Sequence, residues 1–143
     1  MTKEREKIYS KFNGKCAYCG EELNGKFQVD HIIPKKNFRD VVHNGKAPEF
    51  LRHLTVNDMN HSDNLFPSCS QCNFYKDAHT LDYFRHKIGV ILKNLQDCVY
   101  IYRVALKYKL IEENSINVNF HYEFHIPEAK KAMETRLAKR SDT

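Results

Sequence analysis

Cys69-Ser70-Gln71-Cys72, read together with Cys16-Ala17-Tyr18-Cys19, decides the architecture of this chain. Each is a CxxC pair able to turn two thiolates toward one ion, and together they complete a tetrahedral zinc site. Gly14 and Gly20 flank the first pair. Four thiolates leave no open position for water, so the expected zinc is structural: it closes the fold and performs no hydrolysis. The 49 residues between Cys19 and Cys69 exceed the gap of an ordinary zinc finger, so the interval must hold something else.

Outward from the two knuckles, size and composition set the frame. The 143 residues suit one domain, and 41% hydrophobic with 29% charged residues suits a globular one. No apolar run approaches the roughly 20 residues of a membrane span. The start, MTKEREKIYSKF, alternates charges and shows no secretion signal, so a cytoplasmic location is expected. In that compartment the five cysteines favour metal over disulfides. The formal charge of +5 drops to roughly +3 once four thiolates and one divalent ion are counted. Such a charge favours polyanionic partners only weakly.

Local patterns predict the elements. A short helix is expected over residues 2–13, capped by Thr2 and ended by Gly14. FQVDHIIP reads as a strand running into a loop at Pro34. Residues 35–62 have no sustained period and read as a long connection. Leu81, Phe84, Ile88, Ile91 or Leu92, and Leu95 recur at helical spacing and predict a core-facing helix over about 80–95, followed by a second over about 97–110. Ile116, Val118, Phe120, Tyr122 and Phe124 alternate with polar residues, which predicts a half-buried strand. Pro127 suits the first turn of a last helix. Cys98 is expected to be a small buried residue of the second helix.

The interval between the knuckles holds Asp30-His31-Ile32-Ile33-Pro34 and Asn64-Leu65-Phe66-Pro67-Ser68-Cys69, and Cys72-Asn73-Phe74-Tyr75-Lys76 follows. In this order the motifs resemble the zinc-containing form of the HNH endonuclease family, over roughly residues 12–86. The resemblance implies an α+β fold: a ββα-metal core stapled by the four-cysteine zinc, with C-terminal helices and a strand over about 87–143. It also implies a magnesium- or manganese-dependent enzyme that hydrolyses double-stranded DNA to 5′-phosphate and 3′-hydroxyl ends. A homodimer cutting both strands of a symmetric site is compatible with it.

Role by role, the resemblance makes His31 the general base, Asp30 a metal ligand and Asn73 the second ligand through its amide oxygen. It makes Asn64 the residue that holds the loop orienting His31. An imidazole, with an ordinary pKa near 6.5, suits a base, and hard oxygens suit Mg²⁺. Lys76, one helical turn past Asn73, is expected to meet a phosphate. Asp30 and His31 pose a difficulty, since neighbours in a regular strand point to opposite faces. His121 and His125, four apart on the expected strand, would lie roughly 13 Å apart, too far for one ion. His43, His53 and His61 read as inert or DNA-touching, and His79 as a substitute ligand for Asn73. Two rival readings stay open: a zinc module that binds nucleic acid without cutting it, and a protein-interaction module on the same scaffold.

Overall fold

The computed structural model describes residues 1–114 and 116–141. It is a mixed fold of helices around one small antiparallel sheet, with the four knuckle cysteines brought close together. Thr2 caps helix α1 (Lys3–Tyr9) by accepting from the Arg5 amide, and the apolar Ile8 and Phe12 anchor it in the core. The chain then turns through Gly14 at φ +79, where a side chain would be strained and its Cβ, 2.8 Å from the Tyr9 hydroxyl, would have to displace that ring.

Strand β1 (Gln28–His31) pairs with β2 (Leu65–Ser68) so that Asp30 faces Phe66 and Val29 faces Pro67 across the ladder. A two-stranded sheet tolerates Pro67, because both strands are edges. Its carbonyl accepts from the Ala17 amide at 2.9 Å, which docks the first knuckle on the sheet. Helix α3 (Ser70–Lys76) starts at the second knuckle, whose Cys69 Sγ accepts from the Cys72 amide at 3.3 Å as an N-cap. Between the strands, the connection contains the short helix α2 (Phe38–His43) with Phe38 fully buried.

The expected helix over 80–95 is two helices, α4 (Leu81–Gly89) and α5 (Ile91–Cys98), broken at Gly89–Val90. Glycine weakens the helix interior, and Val118 fills the space against it. Leu81 and Phe84 are buried as the periodicity requires, but α5 and the following α6 (Tyr100–Lys107) bury no residue fully. Cys98 is exposed, not buried as expected.

A larger correction concerns residues 116–124. No strand forms among the described residues there; His121–Phe124 is a 3₁₀ turn. The backbone amides that a strand would have spent on a ladder go to the first knuckle: His121 N–H to the Tyr18 carbonyl at 2.9 Å and Tyr122 N–H to Ala17 at 2.7 Å. The turn brings the His121 and His125 rings to 4.5 Å between centroids, which removes the expected separation.

These contacts insert Phe120 and Tyr122 into the aromatic core. Tyr18 sits edge-on to Phe84 and Phe120, each at 5.4 Å, and Phe66 lies 5.0 Å from Tyr122. Glu123, on the face expected to be solvated, is buried, and its carboxylate accepts from Arg85 at 2.6 Å, Arg136 at 2.7 Å and the Phe120 amide at 2.9 Å. It thereby ties α4 to the last helix, α7 (Pro127–Ser141). No helix among the described residues is long and apolar enough to cross a membrane.

Candidate metal centre and adjoining cleft

The knuckles converge as their spacing requires. The Sγ atoms of Cys16, Cys19, Cys69 and Cys72 all lie within 4.8 Å of one another, and Cys19 Sγ is 3.9 Å from Cys69 Sγ. A tetrahedral ion with bonds of about 2.3 Å sets its sulfurs about 3.8 Å apart, so the four thiols are positioned to hold one metal ion. Backbone amides already point at them: Tyr18 and Cys69 both donate to Cys16 Sγ at 3.4 Å. Without a cation the cluster cannot ionise as a whole. Cys16 is held down to about 4, chiefly by hydrogen bonding with the Cys72 thiol, while burial pushes Cys19 up to about 12. A divalent ion relieves that conflict by binding all four thiolates and offsetting half of their charge.

Each knuckle also delivers residues to Asp30. Tyr18, between the first two cysteines, donates its hydroxyl to Asp30 Oδ2. Lys76, at the end of α3, places Nζ 3.1 Å from Asp30 Oδ2 and donates to the His31 carbonyl at 3.1 Å. Lys76 is therefore not the phosphate-facing residue expected. Its side chain is 0% exposed, and its charge is spent on the buried carboxylate. Burial raises the Asp30 pKa above its ordinary value, with Lys76 and Tyr18 opposing the shift.

The strand-alternation difficulty resolves at the end of β1. Asp30 turns inward, 5% exposed, and half-buried His31 ends the strand at the lip of the cleft. His31 Nε2 lies 2.9 Å from Asn60 Oδ1. An amide oxygen only accepts, so with this amide orientation Nε2 carries the hydrogen and Nδ1 keeps the lone pair. Asn64 lies behind this segment, immediately before β2. Fully buried, it accepts from the Ile33 amide at 2.9 Å and donates to the carbonyls of Met59 at 2.9 Å and Ile33 at 3.3 Å, while its own carbonyl takes the Ile32 amide. It stitches the segment after His31 to the loop carrying Asn60.

An open cleft of about 710 Å³ brings Asp30, His31 and Asn73 together, with Lys35, Lys36 and Phe74 on its walls. Among the described residues the Asn73 carboxamide has no hydrogen-bond partner. Of the other histidines, His53 pairs with Asp63 at 2.7 Å and the His79 ring lies tilted against Tyr83, 4.4 Å between centroids, and neither lines this cleft. Sequence reasoning missed Tyr18 and Asn60. A tyrosine that is to be buried needs a partner for its hydroxyl, which was a usable signal for the first. A single asparagine in an aperiodic loop offered none. No family model matches the chain, nor does any curated protein or solved structure.

Proposed function

We propose that the chain is a metal-dependent endonuclease of the HNH kind, its two strands and helix forming a ββα-metal core with the four cysteines holding a structural zinc. The observation that carries this reading is the convergence of Asp30, His31 and Asn73 on one open cleft, with Asn73 unpartnered there. Asp30 and Asn73 offer hard oxygens, and the carboxylate retains acceptor capacity beyond Tyr18 and Lys76. That donor chemistry fits Mg²⁺ or Mn²⁺. A bound divalent ion would stabilise negative charge on the phosphate and the leaving oxygen.

The protein's own part begins at His31. Asn60 fixes the tautomer, so Nδ1 takes a proton from water as the water oxygen attacks phosphorus. The bond from phosphorus to the 3′ oxygen breaks, and that oxygen, once protonated, leaves as a 3′-hydroxyl beside a 5′-phosphate. Asn64 keeps the His31 segment and the Asn60 loop in register. Lys35 and Lys36, both exposed, supply attraction for the DNA backbone.

One observation favours a second reading. Asp30 is already engaged by Tyr18 and Lys76 as a structural ion pair, as suits a module that binds nucleic acid without cutting it. Plasmid nicking with and without Mg²⁺ separates the two. The nuclease reading expects Mg²⁺-dependent nicking that falls about 10²- to 10⁴-fold in His31→Ala, with fold and zinc content intact. Equal nicking by the two proteins would refute it.

A further inference from the structure

An exposed phenylalanine needs no explanation when it stands alone on a surface. Phe74 does not stand alone. It is 85% exposed, it follows Asn73 in α3, and it lines the same cleft as Asp30 and His31. Its neighbour Tyr75 is half-buried and Lys76 is fully buried, so α3 turns its packing residues inward and leaves one aromatic ring in the cleft. The surrounding charge has one sign in excess. Lys35, Lys36 and Lys87 line the cleft against Asp77, and the charge of Asp30 is offset by Lys76.

A bare aromatic face among lysines matches what unpaired nucleic acid presents: a flat base surface beside a phosphate chain. Paired bases in an intact duplex keep those faces stacked and unavailable to a side chain. We propose that the cleft takes DNA with an unstacked base next to the scissile phosphate, as in single strands, loops or mismatches, and that Phe74 stacks on that base. This rests on the nuclease reading for its location but concerns a different property, the strandedness of the substrate. Phe74 is here a specificity-determining residue, and Lys35 and Lys36 contribute salt-sensitive attraction that does not depend on strandedness.

The test uses zinc-loaded full-length protein without added Mg²⁺ and a 20-nucleotide strand carrying 2-aminopurine, alone and as a duplex of the same sequence. Wild type should bind the single strand more tightly and quench the 2-aminopurine. Phe74→Ala should weaken single-strand binding about ten- to hundred-fold, abolish the quench and change duplex binding less than threefold, with Phe74→Trp restoring both. An equal loss on both substrates, or none on either, overturns the proposal. So does a change in sedimentation coefficient, which would make Phe74 a contact between two copies of the chain. Cleavage with Mg²⁺ then tells the readings apart. Phe74-dependent binding without cutting sinks the nuclease and leaves the stacking role standing; cutting with unchanged strand preference in Phe74→Ala does the reverse.

Discussion

Replacing Lys76 by methionine probes the junction where both knuckles meet Asp30. Methionine retains most of the packing of the buried stem and removes the charge, leaving a carboxylate that is 5% exposed with Tyr18 as its remaining side-chain donor. Breaking a buried pair from one side costs about 3–5 kcal/mol, because an uncompensated charge stays behind. For a chain of this size that is a fall in Tm of roughly 6–20 °C. The penalty should depend on pH. The folded pKa of Asp30 is raised, so its contribution to stability is fully present at low pH and falls as pH rises through that value. Losing Lys76 raises it further, so the gap between variant and wild type should be widest near pH 7 and narrow on acidification toward the unfolded value of 3.8. Asp30→Asn with Lys76→Met should recover much of the loss, since no charge then remains. Millimolar Mg²⁺ should raise the Tm of Lys76→Met more than that of wild type, the ion replacing the ammonium. Urea denaturation from pH 4.5 to 8 checks this, and a pH-independent penalty below about 1 kcal/mol would refute the reasoning.

Elemental analysis should find one zinc per chain, lost in Cys69→Ser together with cooperative folding but kept in Cys98→Ser, because zinc binding is coupled to folding. Zinc retained at full stoichiometry in Cys69→Ser would contradict the four-thiolate centre. Asn60→Leu should lower kcat about tenfold with little change in KM, and ¹⁵N shifts of the His31 ring should report a mixture of tautomers; a single unchanged tautomer counts against the positioning role of Asn60. Asn64→Ala should cost about 3 kcal/mol in denaturant unfolding, since it strands the Ile33 amide and two carbonyls in the interior. A loss within 0.5 kcal/mol, roughly the range of an ordinary surface change, would mean that water replaces those bonds.

Where chemistry imposes fixed spacings, sequence and structure agree. The four cysteines assemble and Thr2 caps α1, although β1 stops at His31, short of the Pro34 where the strand was expected to run out. Periodicity served less well toward the C-terminus. Alternation over 116–124 picks out Phe120 and Tyr122 as buried, but Ile116 and Phe124 stay exposed, Glu123 is buried, and the first knuckle captures the His121 and Tyr122 amides that a strand would have paired. The apolar stripe of α5 and α6 has the helical period without the burial it usually signals. Lys76 was misplaced for a related reason: helical spacing put it near Asn73, while the competing pull of a buried Asp30 was visible only once the two were packed together.

The backbone bonds from His121 and Tyr122 to the first knuckle carry a consequence for synthesis on the ribosome. The segment they complete, residues 16–20, emerges more than a hundred residues before its partners do. Until then Tyr18 lacks the ring of Phe120, and the carbonyls of Ala17 and Tyr18 lack their amide donors. A nascent chain halted near residue 110 thus carries all four cysteines with an unfinished core around them. Capture of metal can come early, but final closure must wait until residues 120–122 have left the ribosome, and a fragment ending near residue 86 should be collapsed and exchange-labile instead of native.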